Sequence, residues 1–153
     1  MLFYLASVSC PVKLFCFPVE IQHREFDSKL ILAARLADLN PNHACLIGFD
    51  RYFSQILDNS CASFLLDKSM STIMLKARIQ PCKKNNGVVF ISDEEGVNDL
   101  DETPAALDIR ADNSAVPYID QYLAWGDDDS SFYGNRKSGL SSKITICGSH
   151  RYD

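Results

Sequence analysis

Short apolar runs alternate along the chain with longer amphipathic segments. Six runs have the length and composition of buried strands, and they lie at residues 12–17, 44–47, 63–66, 88–91, 122–125 and 143–147. Helical periodicity or a capping residue follows most of them, as in repeated strand–helix units. The alternation predicts a Rossmann-like, doubly wound α/β fold: a mainly parallel sheet of about six strands in an α/β/α arrangement of three layers. Analogy with that fold predicts the strand order 3-2-1-4-5-6.

Caps and apolar stripes predict the helices between these strands. Asp27 or Ser28 can cap a helix that ends at Leu39, and its residues are apolar over most of the circumference, which predicts deep burial. A second helix is expected over residues 50–57. It would carry a core-facing stripe of four apolar side chains: Phe49, Phe53, Ile56 and Leu57. The acidic run 127–129 suits the start of a further helix.

Length and charge limit the classes of protein. A chain of 153 residues, 46% apolar, can bury one substantial core, so we expect a single domain over residues 1–153. The net charge of −5 argues against electrostatic binding to nucleic acid or to an anionic membrane surface. No apolar run reaches the roughly 18 residues that a membrane-spanning helix needs. The apolar N-terminal stretch has no cation before Lys13, which argues against an export signal.

The cysteines and the known catalytic motifs narrow the chemistry further. Six cysteines are scattered without a C-x-x-C pair or a histidine ligand pattern: Cys10, Cys16, Cys45, Cys61, Cys82 and Cys147. Thiols inside apolar strand-like runs are typical of a reducing compartment, so we expect a cytoplasmic protein without a metal site. The chain contains no glycine-rich phosphate loop, no G-x-S-x-G elbow and no H-E-x-x-H pair, and we predict no cofactor.

The loops that follow the strands are the candidate sites, because open parallel sheets bind ligands at the carboxyl ends of their strands. The first is residues 20–27. We predict that four of its side chains bind a phosphate or sugar hydroxyls: Glu20, His23, Arg24 and Glu25. The alternative is a solvated loop in which Asp27 is an ordinary helix cap. Lys68, after the third strand, either binds an anion or lies on the surface.

Two further candidates follow the fourth and sixth strands. Glu94 and Glu95 are predicted as catalytic carboxylates, with Asp93 in substrate binding, because crowded carboxylates raise one pKa and supply a general base. The alternative is a solvated acidic surface. Gly148 and Arg151 are predicted to bind substrate, since a glycine after a strand lets a phosphate approach the backbone, although a lone glycine is not a motif.

Short blocks in a fixed order are similar to those of bacterial surface carbohydrate biosynthesis proteins. The blocks are Pro18-Val19-Glu20-Ile21, Arg24-Glu25-Phe26-Asp27, Lys29-Leu30, Leu65 with Asp67-Lys68-Ser69, Asp93-Glu94-Glu95-Gly96, Ala124-Trp125-Gly126, and Gly148 with Arg151-Tyr152-Asp153. Together they span residues 12–153, and the chain resembles the N-terminal half of that family. In the last block Ser149-His150 replaces the Asn-Pro that is common before the arginine.

This resemblance implies a GT-B-like glycosyltransferase architecture, in which two Rossmann-like domains face each other across a cleft. The chain would be the acceptor-side domain of a protein of surface polysaccharide biosynthesis, with the C-terminal donor domain absent and catalysis incomplete without it. The implied partners are a sugar or sugar-phosphate acceptor, a sugar nucleotide, and a separate C-terminal half or other protein.

The alternative function is a non-catalytic α/β module that binds a nucleotide or a partner protein. The transferase interpretation predicts that polar groups after the first, third and fourth strands face one another. The interaction interpretation predicts dispersed loops and an exposed apolar flank.

Overall fold

One sheet of six parallel strands forms the centre of the molecule. The computed structural model describes residues 13–59, 63–93 and 111–148. The strands are β1 (Lys13–Val19), β2 (His43–Phe49), β3 (Ser63–Asp67), β4 (Val88–Ile91), β5 (Gln121–Ala124) and β6 (Ile144–Ile146), in the order β2-β1-β3-β4-β5-β6. The predicted Rossmann-like α/β fold is confirmed, and every strand bound lies within two residues of its predicted position.

Helices connect these strands. They are α1 (Gln22–Leu39); a 3-10 turn (Asp50–Tyr52) followed by α2 (Phe53–Asn59); α3, made of Thr72–Met74, a π-helical turn (Leu75–Ile79) and Gln80–Lys84; a 3-10 segment (Asn113–Tyr118); α4 (Asp127–Arg136); and a 3-10 turn (Ser141–Lys143) before β6. The helices cover both faces of the sheet, as a parallel sheet requires.

The predicted strand order 3-2-1-4-5-6 is wrong, because β1 lies between β2 and β3. The burial of the strands explains the difference. The predicted order would place β3 at an edge, yet four of its five residues are buried, whereas the residues of β2 are only partly buried and suit an edge. The chain therefore reverses direction across the sheet between β1 and β3, and the crevice at their carboxyl ends is the switch point.

Two apolar layers flank the sheet, and side chains alternate between them along each strand. The larger layer packs against α2, α3 and α4, and its strand residues include Cys16, Leu65, Val89, Ile91 and Tyr122. The smaller layer packs against α1, and its members include Phe17, Leu66 and Ala33. The same alternation decides on which face of the sheet each side chain that follows a strand lies.

Helix α1 differs from its prediction in start and in burial. It begins at Gln22 rather than after Asp27 or Ser28, and its buried residues are Glu25, Lys29 and Ala33. These three are one turn apart and form the single stripe that faces the sheet. The expected deep burial is wrong, since Leu30 is 48% exposed and Ile31 65% exposed. A helix on the outside of a sheet buries one stripe, and in α1 an ion pair occupies much of it.

Gly87, between α3 and β4, has no room for a side chain. A Cβ atom there would lie 2.7 Å from the carbonyl oxygen of Cys82 and 2.8 Å from that of Ser63. G87A should therefore lower the free energy of unfolding by about 1–3 kcal/mol, measured by urea denaturation. Gly126 is the matched control, because a Cβ atom there meets nothing within 4 Å. G126A should change stability by less than ~0.5 kcal/mol, and equal losses would contradict the close packing of Gly87.

Candidate functional site

The switch point holds a cluster of charged side chains around Glu25. This carboxylate is fully buried and accepts a hydrogen bond from the backbone N–H of Glu20 at 2.7 Å. Its oxygens also lie 3.2 Å from Nζ of Lys68 and 3.4 Å from Nζ of Lys29. Lys68 forms a second ion pair with the carboxylate of Glu20. Four ionic side chains thus meet at the ends of β1 and β3: Glu20, Glu25, Lys29 and Lys68.

The local fold explains why these side chains meet. Glu25 and Lys29 are one turn apart on α1, so both point towards the sheet, and the Lys29 ammonium donates to the carbonyl oxygen of Pro18 in β1. Lys68 follows β3 and has the same alternation as Leu66, whose side chain packs on the α1 side. Lys68 therefore emerges towards Glu25, although 43 residues separate them in sequence.

Glu25 and Lys68 are stabilised in their charged forms. Burial disfavours ionised Glu25, but the N–H of Glu20 and the ammonium groups of Lys29 and Lys68 hold its pKa below the ordinary value. Burial likewise disfavours the Lys68 cation, but Glu20 and Glu25 raise its pKa above the ordinary value. A carboxylate with a low pKa accepts protons poorly at neutral pH. Glu25 is therefore suited to positioning cations, not to general-base catalysis.

Positive charge is in excess at this site. Arg24 lies 3.4 Å from the Glu25 carboxylate, so three cationic side chains meet two carboxylates. Two of the cations reach solvent, because the side chain of Lys68 is 15% exposed and that of Arg24 is 31% exposed. Helix α1 adds the positive end of its dipole, and its N-cap residue, Ile21, has no side-chain atom that could satisfy the first N–H groups. The arrangement suits an anionic group such as a phosphate.

A pocket of about 300 Å³ opens beside this cluster, between α1 and the carboxyl ends of β1 and β2. Its lining residues are Val19, Gln22, Phe26, Ile47, Gly48 and Phe49. Beside the lining residue Phe49, the Arg51 guanidinium lies 5.9 Å from the ring centroid of Phe49 and 4.8 Å from that of Tyr52. The prediction that Phe49 faces the core is wrong, because its side chain is 49% exposed. Phe49 ends β2 and precedes the turn that starts α2, so it does not share the helical stripe.

The other predicted site residues lie elsewhere or outside the described part of the chain. His23 is exposed on the first turn of α1. Gly148 follows the edge strand β6 with φ of 79°, roughly 14 Å from β3 at the usual strand spacing, so the structure does not bring it to the switch point. Glu94, Glu95 and Arg151 lie outside the described residues, and their roles stay predictions.

Asp93 belongs to a second buried cluster on the opposite face of the sheet, the side covered by α4. Its carboxylate accepts a hydrogen bond from the Tyr133 hydroxyl at 3.0 Å. The neighbouring carboxylate of Asp129 accepts from the backbone N–H of Trp125 at 2.9 Å and from the Tyr122 hydroxyl at 3.4 Å. Burial, together with the charge of Asp93, raises the pKa of Asp129. Sequence analysis missed this cluster, because the run 127–129 indicated only a helix start.

Replacing Glu25 tests the buried ion cluster. E25Q should lower the free energy of unfolding at pH 7 by about 3 kcal/mol, because it removes the carboxylate charge beside the buried Lys29. The folded pKa of Glu25 is depressed, so this stabilisation is present above the unfolded pKa and is lost as pH falls through the folded pKa. Urea denaturation at pH 7 and pH 3 measures both effects. E20Q is the exposed control and should cost less than ~1 kcal/mol; equal losses for the two variants would contradict the assignment.

Replacing Asp129 should have the opposite dependence on pH. Its folded pKa is raised, so the stability it contributes is present below the unfolded pKa and is lost as pH rises through the folded pKa. D129N keeps an oxygen acceptor for the Trp125 N–H but removes the charge, and should raise the melting temperature at pH 7 while leaving it nearly unchanged at pH 3. Calorimetry at both pH values measures this. The control is D127N, on the exposed first position of α4, which should show no such gain. The prediction would be refuted if D129N changed the melting temperature less favourably at pH 7 than at pH 3, each compared with the parent protein.

Within residues 13–59, 63–93 and 111–148, no helix is long and apolar enough to cross a membrane. The same residues contain no group of three or more histidine, cysteine, aspartate or glutamate side chains placed to hold a metal ion. Comparisons with family models, with curated proteins and with solved structures each gave no match to this chain.

Proposed function

We propose that the chain is the acceptor-side domain of a glycosyltransferase-like protein of surface polysaccharide biosynthesis. In this proposal it binds a sugar or sugar-phosphate acceptor at the carboxyl ends of β1 and β3. The observation that supports the proposal is the convergence of four predicted site residues at the switch point: Glu20, Arg24, Glu25 and Lys68. The family resemblance implies that this domain binds the acceptor. The excess of positive charge at these residues suits the phosphate of a sugar-phosphate acceptor.

The geometry suggests a division of roles among these residues. Lys68 and Arg24 reach solvent and would hold a phosphate, while the more exposed Glu20 would accept hydrogen bonds from sugar hydroxyls. Glu25 would keep both cations in place through its buried ion pairs. Deprotonation of an acceptor hydroxyl needs a different group, and Glu94 and Glu95 are our candidates for it. A donor-side domain or partner protein would supply the contacts to a sugar nucleotide.

The outer surface of α1 favours a second candidate function, a module that binds a partner protein. Leu30, Ile31 and Leu39 are exposed on this helix, and exposed apolar side chains are what the interaction interpretation requires. The loops after β1 and β3 are not dispersed, however, and this favours the transferase interpretation. Asp93, after β4, faces the other side of the sheet, contrary to what the transferase interpretation predicted for the polar groups after that strand.

A thermal-shift titration with sugar nucleotides and phosphorylated sugars tests the first function. A ligand of the folded state raises the melting temperature, by the equivalent of about 2.7 kcal/mol at 100 times its dissociation constant. We expect a selective shift that is lost in K68M and in R24Q. The matched control is K83M, which breaks the ion pair with Asp120 at the amino ends of β4 and β5, and it should keep the shift.

Two outcomes would contradict this proposal. A shift that survives both K68M and R24Q would place the ligand elsewhere in the molecule. No shift with any ligand, from a sample that unfolds cooperatively, would favour the partner-binding module instead.

A further inference from the structure

The pocket at the ends of β1 and β2 has a chemistry different from that of the ion cluster beside it. Four of its six lining residues are apolar, and two of those four are aromatic: Val19, Phe26, Ile47 and Phe49. Gln22 is the polar side chain of this lining. Its volume of about 300 Å³ is at the lower end of the range for small-molecule sites.

The lining favours a flat heterocycle over a sugar ring. A sugar has hydroxyls around its perimeter, and burying them against apolar walls without partners costs free energy. An aromatic ring instead packs well against phenylalanine side chains. The amide of Gln22 offers one donor and one acceptor side by side, which matches the edge of a nucleobase.

The distance to the ion cluster fits a nucleotide. The strands β2 and β3 flank β1, so their carboxyl ends are about 10 Å apart at the usual strand spacing. The whole length of a nucleotide, from its base to its phosphates, is comparable with this distance. Val19 precedes Glu20 in sequence, and Gln22 and Phe26 lie on the same first turns of α1 as Glu25, so the two sites share one wall.

We propose that this pocket binds the base of a nucleotide whose phosphates lie at Lys68 and Arg24. The phosphate end of this proposal rests on the proposed function, and the base pocket is new. In this arrangement Phe49 stacks on the base and Gln22 bonds to its edge. Arg51, over the ring of Phe49, adds positive charge beside this lining residue.

Isothermal titration calorimetry with the four ribonucleoside 5′-monophosphates and with ribose 5-phosphate separates the two sites. We expect at least one nucleotide to bind about tenfold more tightly than ribose 5-phosphate, because of base stacking. F49A and Q22A should each remove most of this difference without changing the affinity for ribose 5-phosphate. Both side chains are exposed, so the variants should fold. Matched controls are Y118A, an exposed tyrosine before β5, and Q80A, an exposed glutamine of α3.

The other outcomes overturn the proposal in distinguishable ways. Equal affinities for ribose 5-phosphate and for all nucleotides would refute the base pocket and leave the phosphate site of the proposed function intact. Tighter nucleotide binding that survives both F49A and Q22A would place the base elsewhere. No binding of any of these ligands would refute the base pocket together with the phosphate site.

Discussion

The buried carboxylate of Glu25 is the interaction on which the rest of the candidate site depends. It ties the first turn of α1 to the chain after β1 through the N–H of Glu20, and to the end of β3 through Lys68. An unpaired buried charge costs several kcal/mol, so the fold that buries Glu25 must also bring its partners. The position of Lys68 is therefore a consequence of the stability of the fold, and the cation of the candidate site has a fixed place.

Two buried carboxylates of this molecule show how surroundings decide what an acidic group can do. Glu25 has two ammonium groups and an N–H as neighbours, and its pKa is lowered. Asp129 is buried beside the carboxylate of Asp93, and its pKa is raised. The first is a fixed anion that organises cations, while the second keeps its proton to a higher pH than an ordinary aspartate does. They lie on opposite faces of the sheet, so the two chemistries are separated.

Sequence patterns predicted the strands and part of the site, for physical reasons that also explain the failures. Apolar runs such as 88–91 mark buried strands, and the carboxyl ends of parallel strands lie at one edge of a sheet, so Lys68 was expected near Glu20 and Glu25, where it lies. The same expectation did not hold for Asp93, whose side chain lies on the other face of the sheet. Periodicity carries no information on which strands are neighbours, so the strand order was wrong. The start of α1 was missed because Ile21 has no capping side chain, and the pocket was missed because Phe49 resembles a core residue in sequence.

In the proposed nucleotide site, the periodicity of helix α1 would be the source of selectivity. Gln22 and Phe26 are one turn apart and line the pocket on the β2 side, while Glu25 and Lys29 are one turn apart and join the ion cluster. One face of these two turns is therefore apolar, and the neighbouring face is ionic. A simple phosphate can use only the ionic face, and an uncharged ring only the apolar one. A ligand that carries both groups at the right distance gains from both faces, since α1 and the sheet already hold them in place.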